Sequence, residues 1–210
     1  MRRTTFRKIG RSEILESISA NKSLLFIFGL FILSLFCGAV IIKSANETVT
    51  NFVSSLLDSY ISKRNLHSFF IIGFNSCLSI LPYYLSLFIL GGSVAGTFLS
   101  PIVIILRGLG NGLIMGFLYK IYALQGIAFS ALIIVPSALV SALALILCAR
   151  ESFCFSIMFV RAVSPGSGAV NLSNDFRIYC LRYLFLLVIL LVSSLLDSIL
   201  SIAFLRFFTF

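Results

Sequence analysis

The sequence predicts an all-α, polytopic integral membrane protein folded as a helical bundle. Its residues are 60% hydrophobic and 11% charged, against roughly 25% charged residues in a soluble domain, and its mean hydropathy is +1.11. Three uncharged runs of 20, 39 and 29 residues cover 23–42, 68–106 and 121–149. A fourth apolar run, 183–205, is interrupted only by Asp197. Since one helical span takes about 20 residues, we predict about five transmembrane helices.

The predicted spans belong to one membrane domain that comprises residues 1–210. Only three residues, Gly91-Gly92-Ser93, separate the second span from the third, so these two helices should form a tight hairpin. The spans are expected at residues 23–42, 68–90, 94–118, 122–148 and 180–205.

Basic residues before the first span predict the orientation of the chain. The formal net charge is +9, and six of the 16 lysine and arginine residues precede position 23. Because short segments rich in Lys and Arg stay in the cytoplasm, we expect a cytoplasmic N-terminus in the cell membrane and, after five spans, a C-terminus outside. The charge thus indicates topology and predicts no nucleic-acid partner. The first apolar run is longer than the 7–15 residues of a signal-peptide core, so we expect an uncleaved first helix. The six lysine and arginine residues before position 23 are Arg2, Arg3, Arg7, Lys8, Arg11 and Lys22.

Two segments outside the spans also have helical patterns. In the external loop, apolar residues recur every three or four positions across 48–62, TVTNFVSSLLDSYIS. This spacing predicts an external amphipathic helix, which either lies on the lipid headgroups or docks a partner through Phe52, Leu56 and Tyr60. In the cytoplasmic loop, RESFCFSIMFVRAV at 150–163 is apolar between charged ends and predicts an interfacial helix.

Glycines recur every four residues in the third predicted span. Gly108, Gly112 and Gly116 lie in RGLGNGLIMGFLYK, residues 107–120. Residues four apart share one helix face, and a stripe of glycine allows another helix to approach the backbone closely. The stripe therefore predicts a helix-packing surface. Its occupant is either another helix of the chain or, in a homodimer, a second copy.

Polar residues adjoin this stripe. Arg107 and Asn111 are four residues apart, and Asp197 is the only acidic residue in a predicted span. A charge in the bilayer needs a partner or water, and all three side chains are expected to face protein. Arg107 and Asp197 lie at similar depths in helices of the same direction, so we predict an ion pair. The pair either holds the two helices together or belongs to an ion pathway.

The available residue types argue against an enzyme. The single histidine, His67, lies in a loop, so the spans hold no Ser–His pair and no His/Asp/Glu metal set. The five cysteines include no C-x-x-C pair, and we predict no cofactor and no metal.

A membrane scaffold and a small transporter remain as alternatives. The scaffold predicts a closed helical bundle, whereas the transporter predicts a water-accessible cavity around Arg107 and Asn111.

The glycine motif resembles that of the stage II sporulation protein M family, five-span membrane proteins of endospore-forming bacteria. Members have a basic residue before a glycine, a second glycine four residues later, a third before phenylalanine, a turn that ends in glycine, and a proline in the fourth span. The chain departs from the pattern after this proline, where Ser137-Ala138 stand in place of Gln-Asn. The matching residues are Arg107, Gly108, Gly112, Gly116, Phe117, Gly126 and Pro136.

This resemblance implies a non-enzymatic role in the mother-cell membrane during engulfment. Family members act as a scaffold that assembles and anchors a complex with two peptidoglycan-degrading partners, the stage II sporulation proteins P and D. The resemblance therefore implies membrane-protein partners and a part in cell-wall remodelling. The alternative is a small transporter or channel component with a polar path around Arg107 and Asp197.

Overall fold

The computed structural model describes residues 22–65, 69–163 and 172–204, and within these ranges it contains helices and no strands. The predicted all-α class is confirmed. In chain order, the elements are α1 (Lys22–Lys43), α2 (Glu47–Asn65), α3 (Phe69–Gly91), α4 (Gly96–Phe129), a π-helical turn (Ser130–Ile134), α5 (Val135–Val163) and α6 (Leu172–Phe204).

Four helical stretches of the described chain are long and apolar enough to cross a membrane. They are Lys22–Lys43, Phe69–Gly91, Gly96–Val160 and Asn174–Ala203. The predicted third and fourth spans thus fall in one helical stretch of 65 residues. At about 1.5 Å per residue, a straight helix of that length would measure roughly 98 Å, about three times the thickness of the hydrocarbon core.

The long stretch is broken at Ala123, which has φ 44° and ψ −118°. A methyl group added to Gly126 would overlap the carbonyl oxygen of Leu118, and Ile133 packs in the same apolar cluster as Phe117. Sixteen residues of straight helix would hold those two side chains about 24 Å apart. The chain therefore folds back on itself at Ala123.

Helices α5 and α6 extend beyond the apolar runs that predicted them. Helix α5 continues through 150–163, so this segment is the last part of a span helix and not a separate interfacial helix. The Ser152 hydroxyl donates to the Leu87 carbonyl at 2.6 Å, and the Ser156 hydroxyl donates to the Ser93 carbonyl at 2.7 Å. These bonds attach the end of α5 to the end of α3. Helix α6 likewise begins at Leu172, eight residues before the predicted start, because hydropathy marks the apolar part of a helix and not its polar end.

Helix α2 lies where the sequence predicts the external helix. Val53 and Leu57 are buried in a cluster with Ile42 of α1 and Phe117 of α4, whereas Phe52 is 63% exposed. The helix thus has one face on the bundle. Leu56 and Tyr60 also lie in α2, but their side chains are outside the described set.

The register of the helices divides the bundle into two ends. Ser34 meets Gly108 and Ala39 meets Gly116, so α1 and α4 run parallel. Gly73 meets Ser198 and Gly91 meets Tyr179, so α3 and α6 run antiparallel. We call the end that carries α2, Ile42 and Phe117 the α2 end. The opposite end, where the α3–α4 turn meets Ser156 and Tyr179, is the aromatic end.

Candidate functional site

The glycine stripe of α4 is covered by α1 of the same chain. A methyl group on Gly108 would overlap the Ser34 hydroxyl, and one on Gly112 would overlap the carbonyl oxygen of Leu35. On Gly116 it would lie 2.5 Å from the Ile42 side chain. The predicted close approach of another helix is therefore present, and α1 leaves no space along these glycines for a second copy of the chain.

Helix α1 contributes a glycine of its own to this contact. A methyl group on Gly38 would lie 2.5 Å from the Leu109 carbonyl oxygen and 3.0 Å from the Leu113 nitrogen. Where α1 ends, the Lys120 ammonium donates to the carbonyl oxygen of Ile42 at 3.2 Å. A cation at the C-terminus of a helix satisfies a terminal carbonyl and interacts favourably with the helix dipole. The α1–α4 pair is thus fixed along its length and at its end.

The neighbouring face of α4 lines a polar cavity of about 750 Å³. Arg107, Asn111 and Asp197, the three predicted buried polar residues, all contribute to its wall. Helices α3, α5 and α6 and the π-helical turn complete it, and α2 covers one end with Leu57 and Ser59. The sequence predicted that Arg107 lies near Asp197 from their similar depths, and near Asn111 from their spacing of four residues. The structure places all three residues in one cavity.

Asp197 is held by serine hydroxyls from two other helices. Ser137 of α5 donates to its Oδ1 at 3.0 Å, and Ser76 of α3 donates to its Oδ2. Ser193 donates to the Ser137 carbonyl at 2.9 Å and links α6 to α5 a second time. A carboxylate that accepts hydroxyl hydrogen bonds is partly compensated for its burial. Asp197 therefore joins three helices at the wall of the cavity.

Arg107 lies over an aromatic ring of α3. Its guanidinium carbon is 5.2 Å from the centroid of the Tyr83 ring, within the distance of a cation–π interaction. The Ser76 and Ser137 hydroxyls bond the Asp197 carboxylate, and a direct Arg107–Asp197 ion pair stays a prediction. Both charges nevertheless line the same cavity from different helices.

The cavity runs along the α2 half of the bundle. On α3 it reaches from Ile72 to Tyr83, which corresponds to roughly 16 Å of helix. Leu78, Ser79 and Pro82 border it and are exposed on the outer surface of α3. The cavity thus has an opening on the lateral side of the bundle, beside α3.

Aromatic rings fill the opposite end of the bundle. The ring centroids of Tyr179 and Phe155 are 4.5 Å apart, and those of Tyr179 and Tyr183 are 4.6 Å apart. The Tyr84 hydroxyl donates to the Tyr183 carbonyl at 2.9 Å, and the Tyr183 hydroxyl donates to the Cys148 carbonyl at 2.8 Å. The aromatic rings fill this end of the bundle, and their hydroxyls donate hydrogen bonds to helix carbonyls. The aromatic end is therefore packed, whereas the cavity lies in the α2 half of the bundle.

Sequence reasoning missed most of this aromatic cluster. Tyr179 and Tyr183 are four residues apart at the start of the last apolar run, a spacing that places both on one helix face. A tyrosine near the end of a span is also typical of an interfacial anchor, so the spacing alone does not indicate a buried aromatic cluster. Tyr119, which lies near the α4 turn, is exposed as such an anchor would be.

The remaining motif residues lie beside the turn and the cavity. Gly126 is needed where α4 folds back against Leu118. Pro136 has no N–H to donate and its ring crowds the preceding helical turn, and the π-helical turn Ser130–Ile134 ends two residues before it. Such a turn is a known way to accommodate a disturbed helix, and here it brings Ile134 and Ser137 to the cavity wall.

Comparison with known proteins does not identify the chain. No protein-family model matches it, and no curated protein and no solved structure matches it. The functional interpretation therefore depends on the geometry above and, for the sporulation hypothesis, on the motif resemblance alone.

Proposed function

We propose that the chain is a non-enzymatic scaffold of the cell membrane, which crosses the bilayer five times with its N-terminus in the cytoplasm. The observation that carries the proposal is the asymmetry of the bundle: the cavity occupies the α2 half, and the rings of Tyr84, Tyr179 and Tyr183 fill the other half. A conduit needs polar lining along both halves, whereas a scaffold needs a bundle that is closed at one end.

The reversal at Ala123 supports five crossings. It divides the stretch Gly96–Val160 into two antiparallel parts, each long enough for one crossing. Leu124 beside the reversal is 82% exposed, so a reagent can reach this position. Helix α2 and the Ala123 reversal both belong to the α2 end, and in this topology both lie outside the cell.

Topology is tested with single cysteines in a variant whose five native cysteines are replaced. Cysteine at Leu124 and at Ser44 should react with a membrane-impermeant maleimide in intact cells. Cysteine at Gly92, in the exposed α3–α4 turn, should react only after the membrane is permeabilised. Protection of Leu124→Cys in intact cells together with labelling of Ser44→Cys would contradict the five-span arrangement.

Helix α2 is the surface that we propose for partner docking. It covers the bundle with Val53 and Leu57 and leaves Phe52 exposed beside them, so an apolar side chain is presented outside the cavity. Exposed apolar residues at the centre of a patch are typical anchors of protein interfaces. The proposed partners are the peptidoglycan-degrading stage II sporulation proteins P and D. Support for these partners is the resemblance in residues 107–136.

The partner proposal is tested with a photo-crosslinking amino acid at Phe52, introduced into the chain in its native host during sporulation. Wall hydrolases should be crosslinked from this position. The matched control is Val53, the adjacent residue, which is 3% exposed and should crosslink only within the chain. Crosslinking of hydrolases equally from both positions, or from neither, would overturn docking through this face.

The cavity itself supports a second candidate, a transporter component. The described part of its wall contains one arginine, one aspartate, two asparagines and several serines, and intramembrane charges often mark substrate pathways. Transport requires the aromatic end to open, which Tyr183→Ala should mimic by removing the ring there. Flux of a small solute through vesicles that contain the unaltered chain would favour transport over the scaffold.

A further inference from the structure

The polar cavity has the dimensions of a ligand site. Its volume of about 750 Å³ falls within the range of roughly 300–1,000 Å³ for pockets that bind small molecules. Its wall is built by rigid helices: Asn75 and Ser76 come from α3, Asn111 from α4, and Ser137 and Ser141 from α5. Hydrogen-bonding groups thus converge on one space from several directions.

The charges of the cavity select the kind of ligand that fits it. Among the described residues that line it, the ionisable side chains apart from Tyr83 are Arg107 and Asp197, whose formal charges cancel. In surroundings of low dielectric, a bound anion is repelled by the aspartate and a bound cation by the arginine. A zwitterion places one charge of the correct sign toward each residue.

Each charged residue also has suitable chemistry. The Arg107 guanidinium lies over the Tyr83 ring, and a guanidinium presents its donors in its own plane in a geometry that matches carboxylate and phosphate. The Ser76 and Ser137 hydroxyls orient the Asp197 carboxylate. A carboxylate accepts hydrogen bonds on both of its oxygens, and its negative charge attracts an ammonium group.

The lateral opening indicates how such a ligand enters. Leu78 and Pro82 border the cavity and are exposed on the outer surface of α3, where they would contact lipid chains. The exposed Ser79 hydroxyl lies between them in sequence. An amphiphile could therefore place its polar group in the cavity and its apolar part at the opening.

We propose that the cavity binds a zwitterion that combines an ammonium with a phosphodiester or carboxylate, as in glycerophosphoethanolamine. This chemistry occurs in a lipid headgroup and in free solutes, and the experiment below distinguishes these sources. The proposal does not depend on the scaffold function, because it concerns the cavity and not α2.

The test uses the full chain, purified and delipidated in dodecyl maltoside, with four probes. Phosphatidylethanolamine is compared with phosphatidylglycerol of the same acyl chains by native mass spectrometry. Soluble glycerophosphoethanolamine is compared with glycerophosphoglycerol by the shift in melting temperature. Each ammonium-bearing probe should bind about tenfold more tightly than its partner, because one charge-assisted contact accounts for that factor. Binding of the lipid alone assigns the site to a headgroup, and binding of the soluble probe also, or alone, shows that a free zwitterion suffices.

Variants test whether the binding occurs in the cavity. Arg107→Gln and Asp197→Asn should each weaken binding of the ammonium-bearing probe about tenfold or more. Asn111→Leu keeps both charges and the size of the side chain, and it should also weaken binding. This variant tests the proposal if the charge variants fail to fold. Arg182→Gln, at the exposed surface near the aromatic end, is the control and should bind as the unaltered chain does. The proposal is overturned if neither ammonium-bearing probe exceeds its partner, or if folded cavity variants bind as tightly as the unaltered chain.

Discussion

Replacing Gly112 with alanine tests the packing of α1 in the glycine stripe of α4. The methyl group would overlap the Leu35 carbonyl oxygen and lie 3.1 Å from the Ala39 nitrogen. The matched control is Gly110→Ala in the same helix, where no atom of the described residues lies within 4 Å of an added methyl group. The two changes are chemically identical, so they differ only in what the methyl group meets.

The structure gives the size of the expected difference. Alanine is favoured over glycine by about 1 kcal/mol in a helix interior, and this gain cancels between the two variants. Ordinary contact begins at 3.4 Å, whereas the methyl group on Gly112 would lie 3.0 Å from the Leu35 carbonyl carbon and closer still to its oxygen, so α1 and α4 must separate by at least about 0.4 Å. Overpacking of this kind costs about 1–3 kcal/mol. We therefore expect Gly112→Ala to be about 1–3 kcal/mol less stable than Gly110→Ala.

The measurement is the free energy of unfolding in mixed micelles of dodecyl maltoside and dodecyl sulfate. Far-ultraviolet circular dichroism is the appropriate signal because the chain contains no tryptophan. Gly38→Ala and Gly29→Ala repeat the comparison on α1, since a methyl group on Gly29 would meet nothing within 4 Å in the part of the chain that the structure describes. Equal stabilities of Gly112→Ala and Gly110→Ala, within a few tenths of a kcal/mol, would refute the packing of α1 against this stripe.

Three further changes test other parts of the fold by the same measurement. Tyr183→Phe removes a buried hydroxyl that bonds the Cys148 carbonyl and should lower the free energy of unfolding by about 1–3 kcal/mol, whereas Tyr119→Phe, at an exposed ring, should leave it unchanged. Ala123→Gly should raise it by about 0.5–1 kcal/mol, because φ 44° and ψ −118° resemble the first central residue of a type II′ turn, which favours glycine; a lower value would show that the turn tolerates alanine. Arg182→Gln removes an ion pair to Glu151 in which the arginine side chain is 60% exposed, so the loss should stay below about 1 kcal/mol and shrink in high salt.

Local patterns in the sequence predicted the fold class and the close approach at the glycine stripe. Composition and apolar runs are properties of the sequence that do not depend on tertiary contacts, and glycines four residues apart share a face in any α-helix. The identity of the helix in the stripe was not predictable in this way. Gly38 of α1 meets Gly112, and this pairing is a property of the assembled bundle, as is the closure of the aromatic end by Tyr179 and Tyr183.

Depth arguments predicted part of the cavity. Arg107 and Asp197 were assigned similar depths from their distances to the span starts, and both line the same cavity. Ser76, Ser137 and Tyr83 contact them, but their participation depends on the rotation of α3 and α5 about their axes. Serine and tyrosine are common in membrane helices, so residue type alone did not distinguish these three from others.

The two faces of α4 explain why a charge and three glycines occur together in an apolar helix. Gly108 and Gly112 face α1, and Arg107 and Asn111, each one residue earlier and therefore about 100° around the helix, face the cavity. Helix α1 thus fixes the helix that carries the arginine. If this support determines the position of the guanidinium, Gly112→Ala should weaken binding of the glycerophosphoethanolamine probe, because a separation of α1 and α4 moves Arg107 relative to the Asp197 carboxylate. Gly110→Ala, measured as a folded protein under the same conditions, should bind the probe as the unaltered chain does. Equal affinity in the two variants, with the expected difference in stability, would show that the stripe stabilises the bundle without positioning the cavity residues.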